Sequence, residues 1–168
     1  DYDHGVVPRS LASSIQRLLT KYPVLFIAGP RQSGKTTLLK KLLPDYAYVN
    51  LEFPDERERI REDIRSFLIE NGDSGVIIDE AQREPEILSW VQVFSDEQRA
   101  PGQFILTGSN QPAPGEAISQ SLAGRTSIHY LLPLSLEELA PEQLLATRDE
   151  TLFQGLLPRL YDSDIDPG

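Results

Sequence analysis

Eight consecutive residues carry the most specific chemistry in this chain: Gly29, Pro30, Arg31, Gln32, Ser33, Gly34, Lys35 and Thr36 match the pattern G-x-x-x-x-G-K-[ST] without a mismatch. The spacing has a physical cause. Its two glycines let the loop curl until successive backbone N–H groups point inward at an anion. A helix starting near Gly34 adds the partial positive charge of its N-terminus. Lys35 then reaches the β- and γ-phosphates of a nucleoside triphosphate, and the Thr36 hydroxyl is a hard oxygen ligand for Mg²⁺. The stretch from Gly29 to Thr37 is therefore the expected nucleotide contact. Arg31 within it is suited either to a phosphate or to a neighbouring subunit.

A second, independent signal follows. Val76-Ile77-Ile78 is an apolar run that ends in Asp79 and Glu80. A carboxylate at the end of a strand beside a phosphate loop can hold Mg²⁺, usually through water, which suits Asp79. Glu80 is placed to polarise an attacking water, as general base or by orienting it. Sensing a γ-phosphate needs a polar side chain on the next central strand, and in Phe104-Ile105-Leu106-Thr107-Gly108-Ser109 the candidates are Ser109 and Thr107.

The elements that must position these residues are legible from hydrophobic spacing. Leu11, Ile15, Leu18 and Leu19 form one face of a helix over residues 10–21. Residues 24–28 are a wholly apolar run, as expected of a strand buried on both faces. A helix over 34–43 ends at Pro44, and residues 46–51 form the second strand. Pro54 opens one charged helix with an inward stripe of Ile60, Ile64, Phe67 and Leu68, stopped at Asn71-Gly72. Residues 76–79, 103–107 and 126–132 are further strands. Helices are expected over 87–94, where Trp90 and Phe94 belong to the core, and over 116–123. Ser135-Leu136-Glu137-Glu138 is a capping box. Strand and helix in alternation mean a parallel sheet between helical layers. Residues 1–134 are expected to be the core, and 135–168 a helical segment that is either a partial lid or the start of a second domain.

Composition narrows the class. At 168 residues the chain fits one domain. Its net charge of −10 argues against a surface built as a nucleic-acid platform. With no Cys and only His4 and His129, disulfides, thiol nucleophiles and Cys- or His-rich metal sites are ruled out. The two histidines read as structural or exposed. The longest apolar run is five residues, far short of the ~20 that span a bilayer. No signal peptide is visible either, so a soluble cytoplasmic domain without a membrane partner is expected. A chain that starts at Asp1 and has no Met reads as a processed product or a piece of a longer protein.

GPRQSGKTTLLKKL, VIIDEAQ, FILTGSN, ISQSLAGRT and LLPLSLEEL occur here in this order. Together they resemble the AAA+ type ATPase domain of a large group of predicted prokaryotic ATPases, in which a second domain of unknown function typically follows. The resemblance covers roughly residues 9–162. It implies a P-loop NTPase of α/β class with a five-stranded parallel sheet in the order 5-1-4-3-2, Mg·ATP as ligand, and hydrolysis with Lys35, Asp79, Glu80 and Ser109 in the roles above. A homo-oligomer is compatible with the resemblance, though the sequence does not give the oligomeric state; a protein or nucleic-acid partner is not specified. The guanine-reading segment of GTPases is absent, and a helicase core needs two such domains. Small-molecule kinase and slow nucleotide switch are the remaining alternatives. The sequence does not give the adenine contacts, for which Arg9 and the segment before the first strand are the place to look, and Arg159 could at most sense a phosphate.

Arg125 precedes the fifth strand, so it belongs at the sheet edge opposite the phosphate loop, roughly 20 Å from its own site for strands of about six residues. A catalytic Arg125 must therefore serve a neighbouring subunit, as an arginine finger does. The resemblance agrees with that placement. The structural reading is an Arg paired with carbonyls at a helix C-terminus.

Overall fold

In the computed structural model, which describes residues 7–98, 100–109, 122–141 and 147–161, helix and strand alternate as the hydrophobic pattern predicts. The elements are α1 (Leu11–Leu19), β1 (Val24–Gly29), α2 (Lys35–Leu42), β2 (Ala47–Asn50), α3 (Pro54–Glu62), α4 (Ile64–Gly72), β3 (Val76–Asp79), α5 (Pro85–Gln98), β4 (Phe104–Ser109), β5 (Thr126–Tyr130), α6 (Leu136–Leu139) and α7 (Arg148–Gln154). Short 3-10 turns lie at Ala81–Arg83 and Pro158–Tyr161. The strands form one sheet in the order β2-β3-β4-β1-β5, every pairing parallel. This is the expected 5-1-4-3-2 order read from the other edge.

Central β1 explains why the sheet is sandwiched. Val24, Leu25, Phe26 and Ile27 are at most 1% exposed, each worth about 1.5–3 kcal/mol of burial. Alternate side chains go to opposite faces. Val24, Phe26 and Ala28 pack with Val76, Ile78, Phe104 and Leu106 against residues of α3, α4 and α5. Leu25 and Ile27 pack with Ile77 and Ile105 against residues of α1 and α2. Parallel register then brings the strand ends to one edge: Gly29 lies opposite Ser109, and Asn50 opposite Asp79.

The structure corrects the single helix expected over 54–72. Asp63 leaves helical geometry (φ −157°, ψ 82°) and its carboxylate accepts from the Ser66 backbone N–H and hydroxyl, capping α4 and ending α3 at Glu62. Asp prefers such a cap to a helix interior. Ile60, Ile64 and Leu68 are buried in one cluster across the break, with Phe67 packed against it, so the stripe continues although the helix does not. The capping box is present at Ser135 and Glu138. β5 is shorter than expected, and β4 extends to Ser109. Trp90 is partly buried against the core, tilted against Phe94. Most of the helix expected over 116–123, and His4, lie outside the described residues. Among the described residues no helix is long and apolar enough to cross a membrane.

Gly75, which leads into β3, has φ +87°, and a Cβ there would sit 2.4–2.7 Å from the Tyr46 ring. That ring is held by its hydroxyl donating to the Gly102 carbonyl at 2.9 Å. Gly75→Ala is therefore expected to cost about 2 kcal/mol or more, read as a lower urea midpoint. A midpoint within error of the native one would contradict this account.

Candidate functional site

The β1–α2 loop follows from glycine where glycine is needed. A Cβ on Gly29 would lie 2.2 Å from the Leu131 carbonyl oxygen, so only glycine admits β5's continuation beside it. Gly34 has φ +90° and is the N-cap of α2, a conformation costly for a residue with a side chain. The first N–H groups of α2 therefore point into the loop. Lys35 is buried, and its Nζ donates to the Gly29 and Pro30 carbonyls at 2.9 Å each. Burial lowers its pKa from the ordinary 10.5, opposed first by Glu80 and then by Asp79. The Ser33 hydroxyl is buried and has no hydrogen-bond partner among the described residues. Arg31 points outward to Glu52 at 2.6 Å, both exposed.

Asp79 is the meeting point of this loop with the sheet. Its Oδ2 accepts from the Thr36 hydroxyl at 2.6 Å and from the Tyr48 hydroxyl at 2.8 Å, and its Oδ1 accepts from the Thr107 hydroxyl. Burial, then the Asp79 charge, raises the Tyr48 pKa above its ordinary 10.0. Lys40 Nζ lies 3.6 Å from the centre of the Tyr48 ring, a cation–π contact.

Glu80, buried beside Asp79, adopts a left-handed conformation (φ 57°) and starts the 3-10 turn that carries Gln82. Gln82 Nε2 donates to Glu80 Oε2 at 2.6 Å and to Ser109 Oγ at 3.2 Å, and Ser109 Oγ lies 3.3 Å from Glu80 Oε2. Both sensing candidates thus sit against the acids, Thr107 on Asp79 and Ser109 on Glu80.

Arg9 borders the cleft beside the phosphate loop. Its guanidinium is committed to protein: to the Ser33 carbonyl at 2.6 Å, the Leu132 carbonyl at 2.6 Å, the Pro133 carbonyl at 3.4 Å and Glu138 at 3.2 Å. It ties the phosphate loop to the segment after β5. Its neighbours Val7, Pro8 and Ala12, with Leu42 and Pro158, supply apolar lining to a cleft of about 950 Å³. Lys35, Thr36, Thr37, Asp79 and Glu80 line the same cleft, and Arg159 also borders it.

Arg125 is remote. Thr126 pairs with Val24, at the start of β1, five residues from Gly29, or about 16 Å along the strand. Its guanidinium grips the Asp96 carboxylate through two nitrogens, at 2.5 and 2.9 Å, and donates to the Ala123 carbonyl at 3.0 Å. The carbonyl contact is the structural reading; Asp96 is an addition.

The donor set suits a magnesium–nucleotide rather than a bare ion. Among the described residues no group of three or more His, Cys, Asp or Glu could hold a metal ion. One carboxylate beside one hydroxyl, next to a buried lysine in a glycine loop, is what a cation shared with phosphates needs. Sequence reading missed Tyr48, Gln82, Asp96 and the anchoring role of Arg9. Only for Gln82 was there a local signal, its position two residues after Glu80.

Comparison with known proteins agrees with this geometry. A family model described as an AAA domain matches residues 21–140. Uncharacterized proteins of Mycobacterium bovis and Mycobacterium tuberculosis are each 33% identical over 154 residues, covering 89% of this chain and 33% of the relative. The chain thus spans about a third of the length of those relatives. Among solved structures, a Walker-type ATPase of Pyrococcus abyssi has a TM-score of 0.60 at 15% identity, covering 91% of this chain and 65% of that one. AMPPCP-bound DnaA of Aquifex aeolicus has a TM-score of 0.56 at 18% identity, covering 90% and 56%. Both likenesses show the fold.

The Arg9–Glu138 pair carries a pH dependence. Burial raises the Glu138 pKa, but the Ser135 and Ser10 backbone N–H groups and Arg9 outweigh it and hold the group below its ordinary 4.5. A depressed folded pKa gives stability that is present above pH 4.5 and lost as pH falls through the lower folded value. Glu138→Gln is expected to be less stable than the native chain near pH 7 by about 1–3 kcal/mol. The gap should close as acid is added below pH 4.5. Urea unfolding across this range checks it; a gap that persists in acid would assign the loss to packing.

Proposed function

Since the chain belongs to the AAA domain family, we propose that it binds Mg·ATP across the phosphate loop and hydrolyses it to ADP and phosphate. The observation that carries this reading is the division of labour between adjacent acids. Asp79 is bonded to Thr36 at 2.6 Å, while the carboxylate of Glu80, buried next to it, is tied to Gln82 and Ser109.

The residues then have separate tasks. Backbone N–H groups of residues 31–37 cradle the phosphates, and Lys35 moves its ammonium from the Gly29 and Pro30 carbonyls to phosphate oxygens. Thr36 and Asp79 would hold Mg²⁺, which supplies neutralisation of charge on the β- and γ-oxygens. Glu80 accepts a proton from the water that attacks the γ-phosphorus, while the bond to the bridging oxygen breaks and ADP leaves. Val7, Pro8, Leu42 and Pro158 suit the apolar face of adenine. The contacts of Pro158 and Arg159 with the cleft favour a partial lid for the segment 135–168.

Lys35→Ala is expected to abolish tight ATP binding in calorimetry, and unchanged affinity would end the phosphate-loop assignment. Glu80→Gln is expected to keep Mg·ATP binding but lower phosphate release by about 10²-fold or more. Native turnover in that variant would remove Glu80 from the mechanism and favour a slow switch. Transfer of phosphate to a small acceptor, with none freed, would favour a kinase.

For Arg125 we propose a role on a neighbour's γ-phosphate, a reading supported by its distance from its own phosphate loop. Arg125→Ala should bind ATP normally and hydrolyse it poorly, and mixing it with Glu80→Gln should partly restore turnover, because mixed assemblies contain sites with both groups intact. Full activity of Arg125→Ala at concentrations where the native chain assembles would leave Arg125 a structural partner of Asp96.

A further inference from the structure

We propose that Gln82 is a positioning residue for Glu80, holding its carboxylate to the end of β4 through Ser109 so that Glu80 meets the attacking water in one orientation. This rests on the hydrolytic reading above. Three independent features converge on one amide. Glu80 is a non-glycine residue at φ 57°, which is disfavoured by its Cβ. Gln82 Oε1 is buried and finds no hydrogen-bond donor among the described residues. Gly108 leaves room for that oxygen, since a Cβ there would come within 2.8 Å of it and 3.0 Å of the Phe26 ring. Each is unfavourable or restrictive for folding alone. Strain and unmet polarity of this kind collect where function requires a fixed group.

The bond itself has the right chemistry. An amide N–H₂ offers two donors, and Gln82 uses one on Glu80 at 2.6 Å and one on Ser109 at 3.2 Å. Donation to an ionised carboxylate is the stronger class of hydrogen bond. It leaves the other Glu80 oxygen, Oε1, to take the proton. Because Gln82 sits on the 3-10 turn Ala81–Arg83 and Ser109 ends β4, the amide also joins the acid to the strand beside the phosphate loop. The Gly29–Ser109 pairing puts that strand end next to β1. A slack Glu80 side chain would still be present but misdirected, and misplacement of about 1 Å costs on the order of 10²-fold in rate.

Gln82→Met keeps the length of the side chain and removes the amide, and Gln82→Leu is a second apolar variant. In either, kcat for ATP hydrolysis is expected to fall by about 10- to 100-fold, while KM and the calorimetric affinity for Mg·ATP stay within about twofold. The melting temperature should not fall, because an unpartnered buried oxygen is removed together with the bond. A second readout needs no turnover: urea midpoints for Glu80→Gln, Ser109→Ala and the double variant, each measured in the native background and again in the Gln82→Met background. The two shifts should be non-additive where Gln82 is kept and at least halfway towards additive where it is replaced. A Gln82→Met chain with native kcat, or one whose lost rate comes with lost ATP affinity and a lower melting temperature, would overturn the proposal, as would non-additivity that removal of the amide reduces by less than half. A native chain that releases no phosphate yet shows the coupling would overturn the hydrolytic reading alone and support the Gln82 link.

Discussion

The Asp79 carboxylate is where the structure is joined. Three hydroxyls reach it from three other elements: Thr36 from α2, Tyr48 from β2 and Thr107 from β4. A charge this buried is tolerable only with such donors. Those donors arrive together only because β2, β3 and β4 are parallel neighbours in register. Shift β3 by one residue and Asp79 would turn to the other face, leaving three hydroxyls and a carboxylate without partners. The polar knot and the apolar sheet therefore specify the same register, one by satisfaction of hydrogen bonds and the other by burial of Ile77 and Ile78 on opposite sides.

That arrangement separates two electrostatic jobs in neighbouring residues. Asp79 ends β3 and takes the hydroxyls of Thr36, Tyr48 and Thr107, whereas Glu80 turns into a left-handed conformation and takes the Gln82 amide and the Ser109 hydroxyl. The change of backbone at one peptide is what keeps two carboxylates in sequence from competing for the same partners. Lys35 is buried near both, and its own lowered pKa reflects burial working against their attraction.

What was legible in the sequence was whatever a short stretch of chain determines by itself. The loop from Gly29 to Thr36 and the pair Asp79-Glu80 have their spacing written locally, and the apolar runs of β1 and β3 have lengths and flanks that mark buried strands. Tyr48, Asp96 and Arg9 were silent because each is an ordinary residue type whose role comes from a partner 31, 29 or 129 positions away. The split between α3 and α4 was missed for a different reason. Its apolar stripe runs unbroken through Ile60, Ile64 and Leu68, so periodicity reports a continuous buried face while Asp63 interrupts the backbone beneath it. Asp followed by Ser three residues later was the available cap signal, and it was outweighed by the longer pattern.

The four bonds of Arg9 bear on where this unit begins. The family match starts at residue 21, yet the Ser33 carbonyl in the phosphate loop is held by a guanidinium twelve residues before that boundary, which is braced in turn by Glu138 from the other end of the matched span. The span that the family model matches is therefore shorter than the unit that holds the loop. A fragment cut at residue 21 would carry the nucleotide loop but leave its brace behind.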